Sequence, residues 1–227
     1  MKNGSLWRSL SKGEIVLINI LCFGDSNTYG WVPQGGRWPW EVRWTGRLQK
    51  QLGPEYRIIE EGCGGRTTVF DDTLEVDKNG RTHLLTALHS HRPLDLIIIM
   101  LGTNDLKHRF GLLPVDVAVG AEELGKLAEH YDYWPFEAPK VLLVSPIHIG
   151  DGIENSDCTG FAAQAAENSR QLAHFYEQRA QKHGWLYLDA ASVAQPSKRD
   201  MLHMEPEDHA ALADALEKII RDYFEKQ

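Results

Sequence analysis

The chain has 227 residues, 42% hydrophobic and 25% charged, the balance of one ordinary soluble domain with length for a substantial core. No apolar run approaches the roughly 20 residues that cross a bilayer, and a net charge of −8 without a basic run argues against membrane and nucleic-acid partners. Three cysteines, Cys22, Cys63 and Cys158, cannot all pair within the chain and none lies in a Cys-x-x-Cys, so free thiols and a reducing, cytoplasmic setting are expected.

Residues 1–14 carry Lys2, Arg8 and Lys12 without a continuous apolar stretch, and are expected to form a flexible extension ahead of one domain over 15–227. The first strand is predicted at Val16–Phe23 and runs into Gly24-Asp25-Ser26-Asn27, so Ser26 stands where a strand gives way to a helix. A long connection, Tyr29–Arg43, carries Trp31, Trp38 and Trp40 and leads to a helix at Arg43–Leu52. A strand at Arg57–Glu61 is followed by the glycine loop Gly62-Cys63-Gly64-Gly65-Arg66 and a helix at Arg81–His91. The third strand, Asp95–Leu101, ends in Gly102-Thr103-Asn104-Asp105, ahead of a helix at Pro114–His130. A second aromatic connection, Tyr131–Pro139 with Tyr133, Trp134 and Phe136, precedes a strand at Lys140–Ser145. A helix at Phe161–Lys182 and a short strand at Leu186–Leu188 follow, and Asp200-Met201-Leu202-His203 stands just before a last helix at Pro206–Lys226. Pro114 and Pro206 suit first-turn positions, where the missing N–H has no helical partner to lose.

Several of these strands are nearly continuous in apolar residues, as parallel strands covered on both faces are. The five-fold β/α alternation therefore predicts a doubly wound α/β domain with right-handed crossovers, whose sites lie outside the carboxyl ends of the strands. Ser26, the Gly64-Gly65 pair and Asn104 all fall there. The two aromatic connections are expected at the same face as a pocket wall, a lid or a subunit contact, the alternative being local clusters packed on the domain.

Chemistry enters with Ser26, a hydroxyl that needs a base to become a nucleophile. His203 offers an imidazole that titrates near neutrality, and Asp200, three residues earlier, can orient it and fix its tautomer. An acyl-transfer site also needs donors for the oxyanion, and the N–H groups of Ser26 and Gly65 with the Asn104 amide are the candidates. Trp31, Asp25, Asn27 and Thr103, which flank these groups, are the candidate substrate contacts, with Asp25 also expected to hold the serine loop through backbone hydrogen bonds. His209 is expected on the surface of the last helix. His83, His89 and His91 lack a matching carboxylate or cysteine and read as solvent-facing rather than as a metal site. Cys22 reads as a buried strand residue, and Cys63 is a thiol without a second base.

Gly24-Asp25-Ser26, Gly62–Gly65, Gly102-Thr103-Asn104-Asp105 and Asp200-x-x-His203 resemble, in order, the four blocks of the SGNH (GDSL-type) hydrolases, over about residues 18–222. The resemblance implies a three-layer α/β/α domain with a flavodoxin-like five-stranded parallel sheet, a serine esterase mechanism, and no metal or organic cofactor. Gly30-Trp31-Val32-Pro33, Val42-Arg43-Trp44-Thr45-Gly46, Glu60-Glu61-Gly62 with Arg66-Thr67-Thr68, and Leu94–Lys107 look like the bacterial arylesterase/acyltransferase branch. That branch implies a small-molecule ester substrate, short acyl groups, some transfer to alcohols, and a homo-oligomer whose loops wall in neighbouring sites. Asn27 departs from the usual leucine after Gly-Asp-Ser, Cys63-Gly64 departs from the more common small pair, and Ile147–Phe161 departs most. The last departure bears on substrate scope. The alternatives are a carbohydrate deacetylase and a non-catalytic carbohydrate-binding or assembly protein on the same fold.

Overall fold

The computed structural model describes residues 17–225. The strands are β1 Ile18–Gly24, β2 Tyr56–Gly62, β3 Leu96–Met100, β4 Lys140–Ser145 and β5 Leu186–Asp189. The helices are α1 Ser26–Tyr29, α2 Trp44–Leu52, α3 Gly80–His91, α4 Pro114–His130, α5 Gln164–His183 and α6 Pro206–Phe224. The strands pair in parallel in the order β2-β1-β3-β4-β5, the α/β sheet that the alternation predicts. The expected extension over residues 1–14 and the Val16 start of the first strand lie outside the described residues. Among the described residues, no helix is long and apolar enough to cross a membrane.

The period of two along each strand divides the core. Leu21 and Phe23 of β1 and Ile97 and Ile99 of β3 point to one face, where Leu84, Leu88, Leu124 and Leu172 from α3, α4 and α5 cover them. Ile20, Cys22, Ile98 and Met100 point to the other, under Trp44 and Leu48 of α2 and Leu212 and Leu216 of α6. Each fully buried leucine or isoleucine contributes about 1.5–3 kcal/mol of burial energy, so both layers hold the sheet firmly. The strand order reverses direction between β1 and β3, which opens a crevice at their carboxyl ends.

Three expectations need correction. The fifth helix starts at Gln164 rather than Phe161, because Phe161 is buried in the core and the Gly160 carbonyl accepts from His108 N at 2.8 Å, holding that stretch as a loop. The aromatic connection 131–139 joins α4 to β4 and so lies at the amino ends of the strands, away from the crevice. There Tyr133 is buried and its hydroxyl donates to Ala128 O at 2.9 Å, while Trp134 is 80% exposed. His209 is not on the surface of α6 but fully buried, its Nδ1 accepting from Trp44 N at 3.3 Å at the start of α2.

Candidate active site

β1 ends at Gly24, where a Cβ would collide with Thr28 Oγ1 and stand 2.9 Å from Met100 O; only glycine lets the chain turn this closely. The single turn α1 follows, capped by Asp25, whose Oδ1 accepts from Asn27 N at 2.9 Å. Gly30, at φ +83°, closes the turn by donating its N–H to Ser26 O at 2.9 Å. These contacts fix Ser26 at the carboxyl end of β1.

At the far end of the chain, Asp200 builds its own turn. Its Oδ1 accepts from the backbone N–H of Leu202 at 3.0 Å and of His203 at 2.9 Å, and its Oδ2 accepts from His203 Nδ1 at 2.7 Å. Met201 takes a left-handed φ of +58° to make this possible, a conformation that costs about 1–3 kcal/mol in a non-glycine residue. Backbone hydrogen bonds hold it in place: Met201 N to Ser197 O, Ser197 N to His203 O and Gly150 N to Met201 O, each 2.8 Å. His203 Nε2 then stands 2.9 Å from Ser26 Oγ, with Ser26, Asp200 and His203 all buried. Burial alone would raise the Asp200 carboxyl, but the His203 ring and backbone N–H groups outweigh it and hold the group below its ordinary value. Asp200 is therefore an anion that orients the ring and fixes a proton on Nδ1, leaving Nε2 to accept from the serine.

The two ends are joined by Asn27. Its Nδ2 donates to Leu202 O at 3.2 Å, and its Oδ1 accepts from Met204 N at 3.1 Å. Trp38 adds a third tie, donating Nε1 to Met204 O at 3.2 Å.

Between them lie the other two loops. Gly65 adopts φ +79°, a left-handed conformation suited to glycine. Asn104 donates one Nδ2 hydrogen to Arg66 O at 3.1 Å, binding the loop after β3 to the glycine loop; its amide carries a second hydrogen. Thr68 N donates to both oxygens of buried Asp105 at 3.0 and 3.1 Å, and its hydroxyl donates to Oδ1, a second bond between the same loops. Arg66 spans the ends of β1 and β2, donating Nη1 to Gly24 O at 2.9 Å and to Glu61 O, with its guanidinium 4.2 Å from the centre of the Phe23 ring.

A cavity of about 630 Å³ opens over this arrangement, with Ser26, Gly65, Asn104 and His203 on its floor and Trp31 and Phe161 among its apolar walls. The Trp31 ring centre is 6.1 Å from that of His203. Glu75, Lys78, Lys107, Asp157 and Arg199 make another part of the wall charged.

The GDSL-like lipase/acylhydrolase family matches residues 22–212, well over half of the chain. Among solved structures, the native aryl esterase of M. smegmatis is 36% identical over 90% of this chain and 99% of its own, with a TM-score of 0.83. Est24, a carbohydrate acetylesterase from Sinorhizobium meliloti, is 35% identical over 91% of this chain and 100% of its own, with a TM-score of 0.85. A carbohydrate acetylesterase family member from the same organism is 37% identical over 91% and 98%, also with a TM-score of 0.85. The chain belongs to the GDSL-like lipase/acylhydrolase family. No curated protein matches its sequence significantly.

In this carboxylic ester hydrolase the residues expected at the site divide into two groups. Ser26, Gly65, Asn104, Asp200, His203 and Trp31 meet at the cavity. Asp25, Asn27 and Thr103, expected as substrate contacts, do not line it; all three are buried behind the floor, with Asp25 and Asn27 bonded to protein. Burial raises the Asp25 carboxyl, an effect opposed in part by the Asn27 N–H, by His203 and Arg66, and by a hydrogen bond with Thr103. The histidines of α3 stay apart from the site: His83 Nε2 lies 2.9 Å from Asp77 O and His91 Nε2 lies 3.0 Å from Glu61 Oε1.

Sequence reasoning missed Glu75 and Lys107. Buried Lys107 donates Nζ to Glu75 Oε1 at 2.6 Å, and the same oxygen accepts from Arg109 Nη2 at 2.6 Å. Only Lys107 lay in a stretch that had drawn attention, and nothing local marks Glu75. Cys158, Thr159 and Phe161 also reach the cavity, so the segment that departs most from the branch supplies part of the wall.

Proposed function

We propose that this hydrolase cleaves short-chain carboxylic esters, acetates and aryl esters among them, through an acyl-enzyme on Ser26. The observation that carries this reading is the relay from Ser26 Oγ to His203 Nε2 at 2.9 Å and from His203 Nδ1 to Asp200 Oδ2 at 2.7 Å. Ser26 Oγ attacks the ester carbonyl while its proton passes to Nε2, and the imidazolium is stabilised by Asp200. The N–H groups of Ser26 and Gly65 and the Asn104 amide receive the negative charge that develops on the carbonyl oxygen. The tetrahedral intermediate collapses, His203 returns the proton to the departing alkoxide, and the acyl group stays on Ser26. Water, deprotonated by His203, attacks the acyl-enzyme and frees the carboxylic acid. An alcohol in the position of that water takes the acyl group instead, so transfer to alcohols uses the same residues.

A second reading has an observation of its own. The charged part of the wall, with Lys78, Lys107 and Arg199 beside Glu75 and Asp157, suits a hydroxyl-rich leaving alcohol such as an acetylated sugar. The similarity to a carbohydrate acetylesterase supports it. Turnover of an aryl acetate, butyrate and octanoate series, run beside acetylated xylose and with or without added alcohol, separates the readings. Ser26→Ala is expected to lose at least about 10⁴-fold in kcat while keeping the native melting profile. Turnover near the parent rate in that folded variant excludes the acyl-enzyme.

A further inference from the structure

The ester mechanism leaves Cys158 without a part, although it lies against the relay. Its sulfur, a carboxylate oxygen of Asp200 and a ring nitrogen of His203 all lie within 4.8 Å of one another. We propose that Cys158, Asp200 and His203 form an inhibitory binding site for a soft divalent cation, with zinc as its representative. The proposal rests on the reading of His203 as the base of ester cleavage.

The donor set fits that class of ion. A thiolate, an imidazole and a carboxylate are the ligands zinc takes, and three protein ligands leave a fourth position for water. A tetrahedral site with bonds of about 2.0–2.3 Å spaces its ligands about 3.3–3.8 Å apart, so closing the group requires movement of about 1 Å. Asp200 and His203 are buried and held in their turn, and half-buried Cys158 sits in an irregular loop, where its N–H donates to Ser156 Oγ at 3.1 Å. The thiol is therefore the ligand with freedom to adjust.

The negative charge of Asp200, beside the sulfur and the ring, attracts a dication. On binding, the sulfur–hydrogen bond breaks, its electron pair forms the sulfur–zinc bond and the proton leaves to water.

Either ring nitrogen gives the same outcome. Zinc on Nε2 occupies the lone pair that accepts the Ser26 proton. Zinc on Nδ1 displaces the Asp200 hydrogen bond and moves the ring proton to Nε2, which then faces Ser26 as a donor. In both cases the base is lost.

Calorimetric titration of the full chain with zinc chloride, run beside aryl acetate turnover, tests the site. The parent protein is expected to bind one zinc per chain and to lose activity in step with occupancy, with recovery on chelation. Cys158→Ala and Cys158→Ser, each compared with its own zinc-free rate, are expected to weaken binding and inhibition at least about tenfold. Cobalt is expected to give a thiolate-to-metal charge-transfer band that both variants lack. Absence of zinc binding in the parent, binding by the variants as tight as the parent's, or full activity in the zinc-loaded parent each overturns the proposal. Binding that depends on Cys158 in a protein that hydrolyses no ester would overturn the ester reading and leave the cation site standing.

Discussion

At the scale of single residues, the proposed oxyanion groups can be weighed against each other. Asn104→Ala removes one aimed donor and is expected to lower kcat about 10²–10³-fold with KM nearly unchanged, as steady-state kinetics on an aryl acetate would show. Gly65→Ala should act through the backbone. The position has φ +79°, and an added Cβ would stand 2.7 Å from Glu75 Oε2 and 3.2 Å from Lys78 Cε. A strain of about 1–2 kcal/mol, a lower melting temperature and a fall in kcat are expected together, and an unchanged melting temperature would contradict the argument. The place of both residues at the cavity was legible because each belongs to a short block at a strand's carboxyl end. Asp25 was legible as the residue that holds the serine loop, since its partner, Asn27 N, is two positions on. That Asn27 faces the interior was not, because its partners at Leu202 and Met204 lie in a distant segment.

Among the elements, α1 matters more than its four residues suggest. Through Asn27 it holds the turn that carries His203, joining positions that are 175 and 177 residues apart in sequence. Asn27→Ala strands a buried carbonyl at Leu202 and a buried N–H at Met204, which is expected to lower unfolding free energy by about 2–3 kcal/mol. Because the same bonds set the Ser26–His203 distance, kcat should fall as well, measured beside urea unfolding on the same preparation. A variant with full stability and full kcat would show that the clamp is redundant. The elements themselves were legible in proportion to their local signals. Pro114 at the first turn and His130 at the last bound α4 as expected. The start of α5 was hidden, because the hydrogen bond from His108 to Gly160 that delays it comes from 52 residues upstream.

For the whole molecule, two buried groups set opposing pH dependences. Burial and the nearby cations Arg47 and Arg43 push His209 down to about 3. The unfolded chain binds this proton below about 6.5 and the folded chain does not, so the contribution of His209 is complete above that value and is lost as pH falls toward 3. Burial lifts Asp105 to about 6, against its Thr68 hydrogen bonds. Here the folded chain holds the proton more tightly, so stability from this group declines as pH rises from about 4 to 6. The two effects partly cancel in the parent. His209→Asn keeps an acceptor for Trp44 N without the titration, so the variant should gain on the parent by up to about 1.4 kcal/mol per pH unit below 6.5. Urea midpoints at pH 7, 6, 5 and 4 would show it, and a constant difference across that range would count against the assignment.

The sequence by itself determined the alternation of strands and helices, since hydrophobic period and turn residues act over a few positions. It also determined which groups could do acyl chemistry, since Ser26, Asn104, Asp200 and His203 each lie in a recognisable local block. The tertiary structure decided that these blocks meet. Parallel pairing brings every strand's carboxyl end to one edge, and so a histidine 177 residues from its serine comes within 2.9 Å of it. The structure also decided what surrounds them, from Glu75 and Lys107 to the thiol of Cys158. Those contacts arise between loops distant in sequence, where no local pattern can announce them.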